Sequence, residues 1–222
     1  MKIVATSDIH GRIPWNELVE TIPSCDVLII AGDLLPNHYR DGTMDAYWQL
    51  NQLDQFNRAA RKIRAGKILL VPGNHDWVFE AGLHREIVSP AYTSLLDESI
   101  TVDGVTFYGT PWVPAFCDWA FNVEKDSDLM QRLRDKIAPC DVLITHGPAY
   151  GILDTTIDGR NVGCRKLRER IRRITPKVHI HGDIHESFGT LDYGETSHYN
   201  VSMVDVNYQP INPVVEINLD TK

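Results

Sequence analysis

The chain has 222 residues, 43% hydrophobic and 23% charged, the mix of one soluble globular domain spanning residues 1–222. Its net charge of −8 argues against a stable nucleic-acid complex, because phosphate backbones attract basic surfaces. No apolar run approaches the roughly 20 residues that cross a bilayer, and the opening MKIVATSDIHG has too short an apolar stretch for a secretory leader, so a cytoplasmic location is expected.

Six runs rich in Val and Ile read as strands buried on both faces: KIVATSD (2–8), DVLIIAGD (26–33), KILLVPGN (67–74), VTFYGTPW (105–112), DVLITHGP (141–148) and KVHIHGD (177–183). Helical patterns lie between them. The spacing predicts a helix over 43–65, with Thr43 as N-cap and Leu53, Phe56, Ala60 and Ile63 on its apolar stripe. A second is predicted over 124–137, with acids in its first turn. A third lies within 160–177, which has eight basic residues and one acid. That segment is either the solvated face of an amphipathic helix or a patch that steers anions. The stretch 197–219 reads as two or more strands with Asn and Pro turns. This alternation implies an α/β layering. CDVLIIAGD (25–33) and CDVLITHGP (140–148) share their first five residues, which suggests two similar half-sheets. Cys25, Cys117, Cys140 and Cys164 form no CxxC pair, and Cys25 and Cys140 read as small buried thiols.

The chemistry gathers at the strand ends. They carry Asp8 and His10, Asp33, Asn74 with His75 and Asp76, His146, and Asp183 with His185. Ligands of open α/β sheets sit beyond the carboxyl ends of the strands, so these side chains are expected in one crevice. Carboxylate and imidazole donors suit Mn, Fe, Zn, Ni or Co, and no cysteine is among them, which argues against a thiolate zinc site. The donor count exceeds the needs of one ion and suits two divalent ions sharing a bridging carboxylate.

In this order, Asp-x-His, Gly-Asp, Gly-Asn-His-Asp, a lone His and Gly-x-x-His resemble the calcineurin-like metallophosphoesterases. GTPW (109–112), THGPAYGILD (145–154) and HGDIHE (181–186) look like the metallophosphoesterase-domain group of vertebrate brain and its microbial relatives. The resemblance implies an α/β sandwich of two facing mixed sheets flanked by helices. It also implies a metal-dependent phosphoesterase acting on phosphodiesters, with cyclic nucleotides foremost. Asp8, His10 and His185 would hold the first metal, Asp33 would bridge, and Asn74 and His146 would hold the second. Manganese is the leading ion, with Fe, Zn, Ni, Co or Mg as alternatives. His75 would protonate the leaving alkoxide, and Asp76 would orient it.

Typical members have Gly-His-x-His where this chain has Gly182-Asp183-Ile184-His185. Asp183 is then a harder, shorter ligand of a looser second site, or a turn residue facing solvent. His179 and His181 share one strand face opposite Val178 and Ile180 and read as non-ligands. His38, Tyr39 and Arg40 would overhang the metals or form a plain surface loop. Trp77, Phe79 and Trp112 would stack on a nucleobase or pack the core. The expected partner is a small phosphodiester or nucleotide. The rival functions are a phosphomonoesterase acting on phosphoproteins or nucleotides, and a weakly active nucleotide-binding relative.

Overall fold

All six apolar runs form strands in the computed structural model, which describes residues 1–38 and 41–220. In chain order the elements are β1 (Lys2–Thr6), α1 (Trp15–Thr21), β2 (Cys25–Ala31), α2 (Gly42–Ala60), β3 (Ala65–Val71), α3 (Trp77–Glu80), β4 (Thr93–Ser94), β5 (Glu98–Val102), β6 (Val105–Thr110), β7 (Val113–Pro114), β8 (Asn122–Val123), α4 (Asp128–Asp135), β9 (Val142–Thr145), α5 (Arg165–Ile174), β10 (Val178–His181), β11 (Gly189–Tyr193), β12 (Thr196–Asn200) and β13 (Val215–Asn218). They build one sheet ordered β13-β1-β2-β3-β4, a second ordered β11-β12-β10-β9-β6-β5, and a β7-β8 ribbon. Both large sheets are mixed: their central strands pair in parallel, while β13, β11 and β5 join antiparallel.

Side-chain alternation explains why the central runs are apolar without a break. Ile3, Ala5, Val27, Ile29, Leu69 and Val71 face the second sheet, where they meet Phe107, Val142, Ile144, Val178 and Ile180. The other faces of β1, β2 and β3 pack under α1 and α2 through Val4, Leu28, Ile30 and Leu70. Leu143 and Tyr108 pack under α4 and α5 with Met130, Leu133, Leu167 and Ile171. The result is a helix–sheet–sheet–helix sandwich. The two strands of the CDVLI echo, β2 and β9, occupy interior positions in the two sheets.

Several helix limits differ from the sequence pattern. The 43–65 helix runs Gly42–Ala60, and Asp41 rather than Thr43 caps it, accepting from the Met44 amide at 3.0 Å. The 124–137 helix is shorter, Asp128–Asp135, because Ser127 caps it through the Met130 amide at 3.2 Å. The basic segment is largely scaffold. Arg168 reaches the Tyr150 carbonyl and the Tyr193 hydroxyl, Arg170 donates to the Ile137 carbonyl, and Arg165 lies over the Tyr150 ring. No helix among the described residues is long and apolar enough to cross a membrane.

Candidate metal centre

The loops after β1, β2, β3, β9 and β10 meet where the two sheets face each other. Asp8, His10, Asp33 and Asp183 all hold left-handed backbone, with φ of 53°, 47°, 53° and 69°. Such conformations cost non-glycine residues of order 1–3 kcal/mol each and concentrate at functional sites. Here they turn each side chain off the end of its run and into the crevice. Close approach also demands glycine at two neighbouring positions. A Cβ on Gly32, whose φ is +98°, would lie 2.1 Å from Nδ1 of His146, and one on Gly182 would lie 2.1 Å from Oδ2 of Asp8.

Asp8 is fully buried, and its Oδ2 accepts from the hydroxyls of Ser7 at 2.5 Å and Ser202 at 2.6 Å. The Asp183 amide donates to both of its oxygens, at 3.2 and 3.1 Å. Nε2 of His185 stands 3.6 Å from Asp8 Oδ1, while its Nδ1 donates to the Asp205 carbonyl at 3.1 Å. His146 is arranged the same way. Its Nδ1 donates to the Ala31 carbonyl at 3.0 Å, so its Nε2 lone pair points inward, 3.4 Å from Asp33 Oδ1 and 3.8 Å from Asp183 Oδ1. Carbonyl anchoring of the outer ring nitrogen is how proteins commonly aim an imidazole at a metal. Nε2 of His10 lies 3.6 Å from Asp33 Oδ2 and that of His75 lies 3.9 Å from it, so Asp33 sits among three imidazoles. Its carboxylate also accepts the His75 amide at 2.8 Å.

These donors fall into three overlapping groups suited to a cation: Asp8, His10 and His185; His10, Asp33 and His75; and Asp8, Asp33 and His146. Their chemistry fits divalent ions. Nε2 of His10 is buried with no hydrogen-bond partner. The oxygen of Asn74 faces the His146 lone pair at 2.9 Å, acceptor against acceptor, which a cation between them would satisfy. With its nitrogen inward instead, the Asn74 amide would donate to His146 and Asp33. The sequence-predicted ligands Asp8, His10, Asp33, Asn74, His146, Asp183 and His185 are thus brought together, with the Asp183 carboxylate turned toward His146.

The electrostatics follow from crowding. Burial lowers the His10 imidazole to about 4, which keeps it neutral and its lone pair free. Burial raises Asp8 and Asp33, but the surrounding imidazoles outweigh it and hold both carboxyls well below the usual range. Burial also lowers His185, yet the Asp8 carboxylate prevails and raises it to about 9. A cation on that lone pair would displace the proton.

One assigned role is corrected. Asp76 does not orient His75. Its carboxylate accepts the backbone amides of Gly73 at 2.8 Å, Leu35 at 3.0 Å and Leu34 at 3.3 Å, tying together the loops that carry Asn74 and Asp33. Asn37 faces His75 instead, with Oδ1 2.7 Å from Nδ1, and Asn37 is itself held by Asp45 at 3.1 Å. Of the two readings of the strand-end aromatics, core packing is the one observed. Phe79 is buried in the core, and Trp77 and Trp112 pack against it. The rings that reach the centre are Trp119, 4.4 Å from the His75 ring, and Tyr208, 4.9 Å from His10 and 5.2 Å from His185. No strand-end pattern marks either. His38 stacks on Trp48, while Tyr39 and Arg40 lie outside the described residues.

His179 and His181 are buried on the face of β10 opposite Val178 and Ile180, and neither belongs to the three donor groups. The Thr145 hydroxyl donates to the Gly147 carbonyl at 2.7 Å, so it accepts from Nε2 of His179 at 2.9 Å. Nδ1 of His179 then accepts from Nδ1 of His198 at 3.0 Å.

Residues 1–187 match the calcineurin-like phosphoesterase family. The chain is 30% identical over 250 residues to metallophosphoesterase domain-containing protein 1 of Homo sapiens, covering 99% of this chain and 71% of the human protein. One solved structure shares the fold with a TM-score of 0.71 at 17% identity, over 99% of both chains. A second, TT1561 of Thermus thermophilus, does so with a TM-score of 0.57 at 14% identity over 98% of both.

Proposed function

The chain belongs to the calcineurin-like phosphoesterase family, and from that premise we propose that it is a metal-dependent phosphodiesterase with cyclic nucleotides as the leading substrate class. The observation that carries the diester preference is the Asp183 carboxylate, 3.8 Å from Nε2 of His146. A histidine at this position would add no charge. Asp183 adds a third carboxylate to Asp8 and Asp33. Three carboxylates against two divalent ions leave only about one positive charge for an incoming anion. Attraction grows with the anion's charge, but the cost of its desolvation grows with the square. A monoanionic diester is therefore favoured over a dianionic monoester.

Two divalent ions, manganese foremost, would polarise the phosphoryl oxygens and lower the pKa of an attacking water. Asp8, His10 and His185 would hold one ion, and Asn74, His146 and Asp183 the other, with Asp33 between them. His75 presents Nε2 to the crevice, and with Nδ1–H given to Asn37 Oδ1 its imidazolium form would donate the Nε2 proton to the departing alkoxide. Asn37 keeps the ring aimed through Nδ1. Trp119 covers one side of that imidazole and limits water there.

The test offers manganese-loaded protein bis(4-nitrophenyl) phosphate and 4-nitrophenyl phosphate side by side. Faster turnover of the diester is the expected result. Faster turnover of the monoester would reverse the assignment in favour of a phosphomonoesterase.

A further inference from the structure

A cavity of about 260 Å³ opens directly beside Asn74 and Asp183, bounded by Phe116, Trp119, Val113 and Ile184, with Lys125 and Arg160 also in its lining. We propose that it is the specificity pocket of the centre and takes the flat aromatic base of a nucleotide ester. The proposal rests on the phosphoester reading above and names the part of the substrate that lies beyond the phosphoryl group.

Three features carry it. The cavity is continuous with the metal donors, because Asn74 and Asp183 line both. A group esterified to a phosphate at the centre enters it without a linker. The wall is aromatic and costs solvation while empty: Phe116 leaves 69% of its surface exposed, and its ring lies 5.7 Å from that of Trp119. The two rings stand at 71° to each other, so a heterocycle laid on the face of one meets the edge of the other and covers that surface, and bases of any kind stack on such a face. The polar edge of the base would meet Lys125 and Arg160.

The wall is also fixed in place. Between β7 and β8 the chain makes a closed loop. The Asn122 side chain donates to the carbonyls of Phe116 and Cys117, at 3.1 and 3.0 Å, and the Ala120 amide donates to the carbonyl of Asn74 at 3.0 Å. Trp119 is therefore attached through the next residue to a metal donor, and the platform keeps its height above the centre. Preorganised aromatic surface binds at low entropic cost. A second cavity of about 300 Å³ lies on the other side of His75, lined by Gly11, Arg12, Pro36, Asn37 and Tyr208. Its Arg12 guanidinium suits a second anionic group rather than a base.

The test measures calorimetric binding of adenosine 5′-monophosphate and ribose 5-phosphate to the manganese-loaded full chain. These probes share the phosphate and sugar and differ in the base. The nucleotide should bind about 10-fold tighter, Trp119→Ala should bring the two affinities together, and Trp119→Phe should keep most of the difference. Nucleotide binding should also quench tryptophan fluorescence in the parent chain and lose that quenching in Trp119→Phe. Equal affinities in the parent chain, no binding of either probe, or a difference removed by Arg12→Ala and kept in Trp119→Ala each overturn the proposal. Hydrolysis of bis(4-nitrophenyl) phosphate is scored separately, so a failed diesterase reading is told apart from a failed base pocket.

Discussion

Oδ1 of Asn37 and Nδ1 of His75 lie 2.7 Å apart, at the mouth of the centre, and Asp45 holds the far side of the same amide. Asn37 is a positioning residue, and its loss should act on turnover alone. Asn37→Ala is expected to lower kcat about 10-fold with little change in KM, since it loosens one proton-transferring ring and removes no phosphate contact. His75→Ala should cost about 10²–10⁴-fold and leave two metal equivalents in place by elemental analysis. Asp76→Ala should behave differently. It strands the buried amides that Asp76 satisfies, so the midpoint of thermal unfolding should fall.

Asp183→His trades a carboxylate for the longer, neutral donor of typical family members. It should tighten manganese at the second site and shift the ratio of monoester to diester turnover upward by about 10-fold. Titration calorimetry and the paired aryl phosphate assay read the two effects. If neither moves, Asp183 is a turn residue.

The two glycines beside the ligands divide the centre. Gly32→Ala drives a methyl group against His146 and should empty the second metal position. Gly182→Ala drives one against Asp8 and should disturb the first. Metal analysis of each purified variant, compared with two equivalents in the parent chain, distinguishes the outcomes.

The buried pair of His179 and His198 sets an acid limit on stability. Burial lowers both imidazoles, His198 to about 4 against the opposing pull of the Asp192 carboxylate, and the other groups facing them are Thr145, His181 and the basic Arg134 of α4. The unfolded chain takes up protons near the ordinary histidine value of about 6.5, whereas folded His198 does so only near 4. The unfolded state therefore binds more protons between those limits, and stability is lost as pH falls through that window. Urea midpoints measured from pH 7 to pH 4.5 should drop. His198→Gln should flatten the slope.

The candidate site was legible because its side chains are polar residues ending buried apolar runs, several of them next to glycines that allow close approach. Asp33 and His146 carry that signature, Asp8 ends its run without an adjacent glycine, and the unbroken apolar runs behind them marked the parallel sheet interior. Short edge strands such as β4 and β11 escaped because half-exposed edges need no apolar run. Asp76 misled because adjacency in sequence does not give direction. Its backbone, at φ −93° and ψ 61°, sends the carboxylate under the neighbouring loop instead of toward His75. Asn37, Trp119 and Tyr208 lie in loops whose path depends on the whole fold, and nothing in their neighbours marks them. The exposed Phe116 and the Trp119 ring tilted against His75 acquire meaning only once that loop is seen tied to Asn74.

The candidate ligands come from both halves of the sandwich. Asp8, Asp33 and Asn74 follow strands of one sheet, while His146, Asp183 and His185 follow strands of the other. Ions bound there would be a rivet through the seam between the halves. A chelator should do more than stop turnover. It should remove one tie across a seam that the apolar core still holds, so that the calorimetric transition stays single and moves to lower temperature.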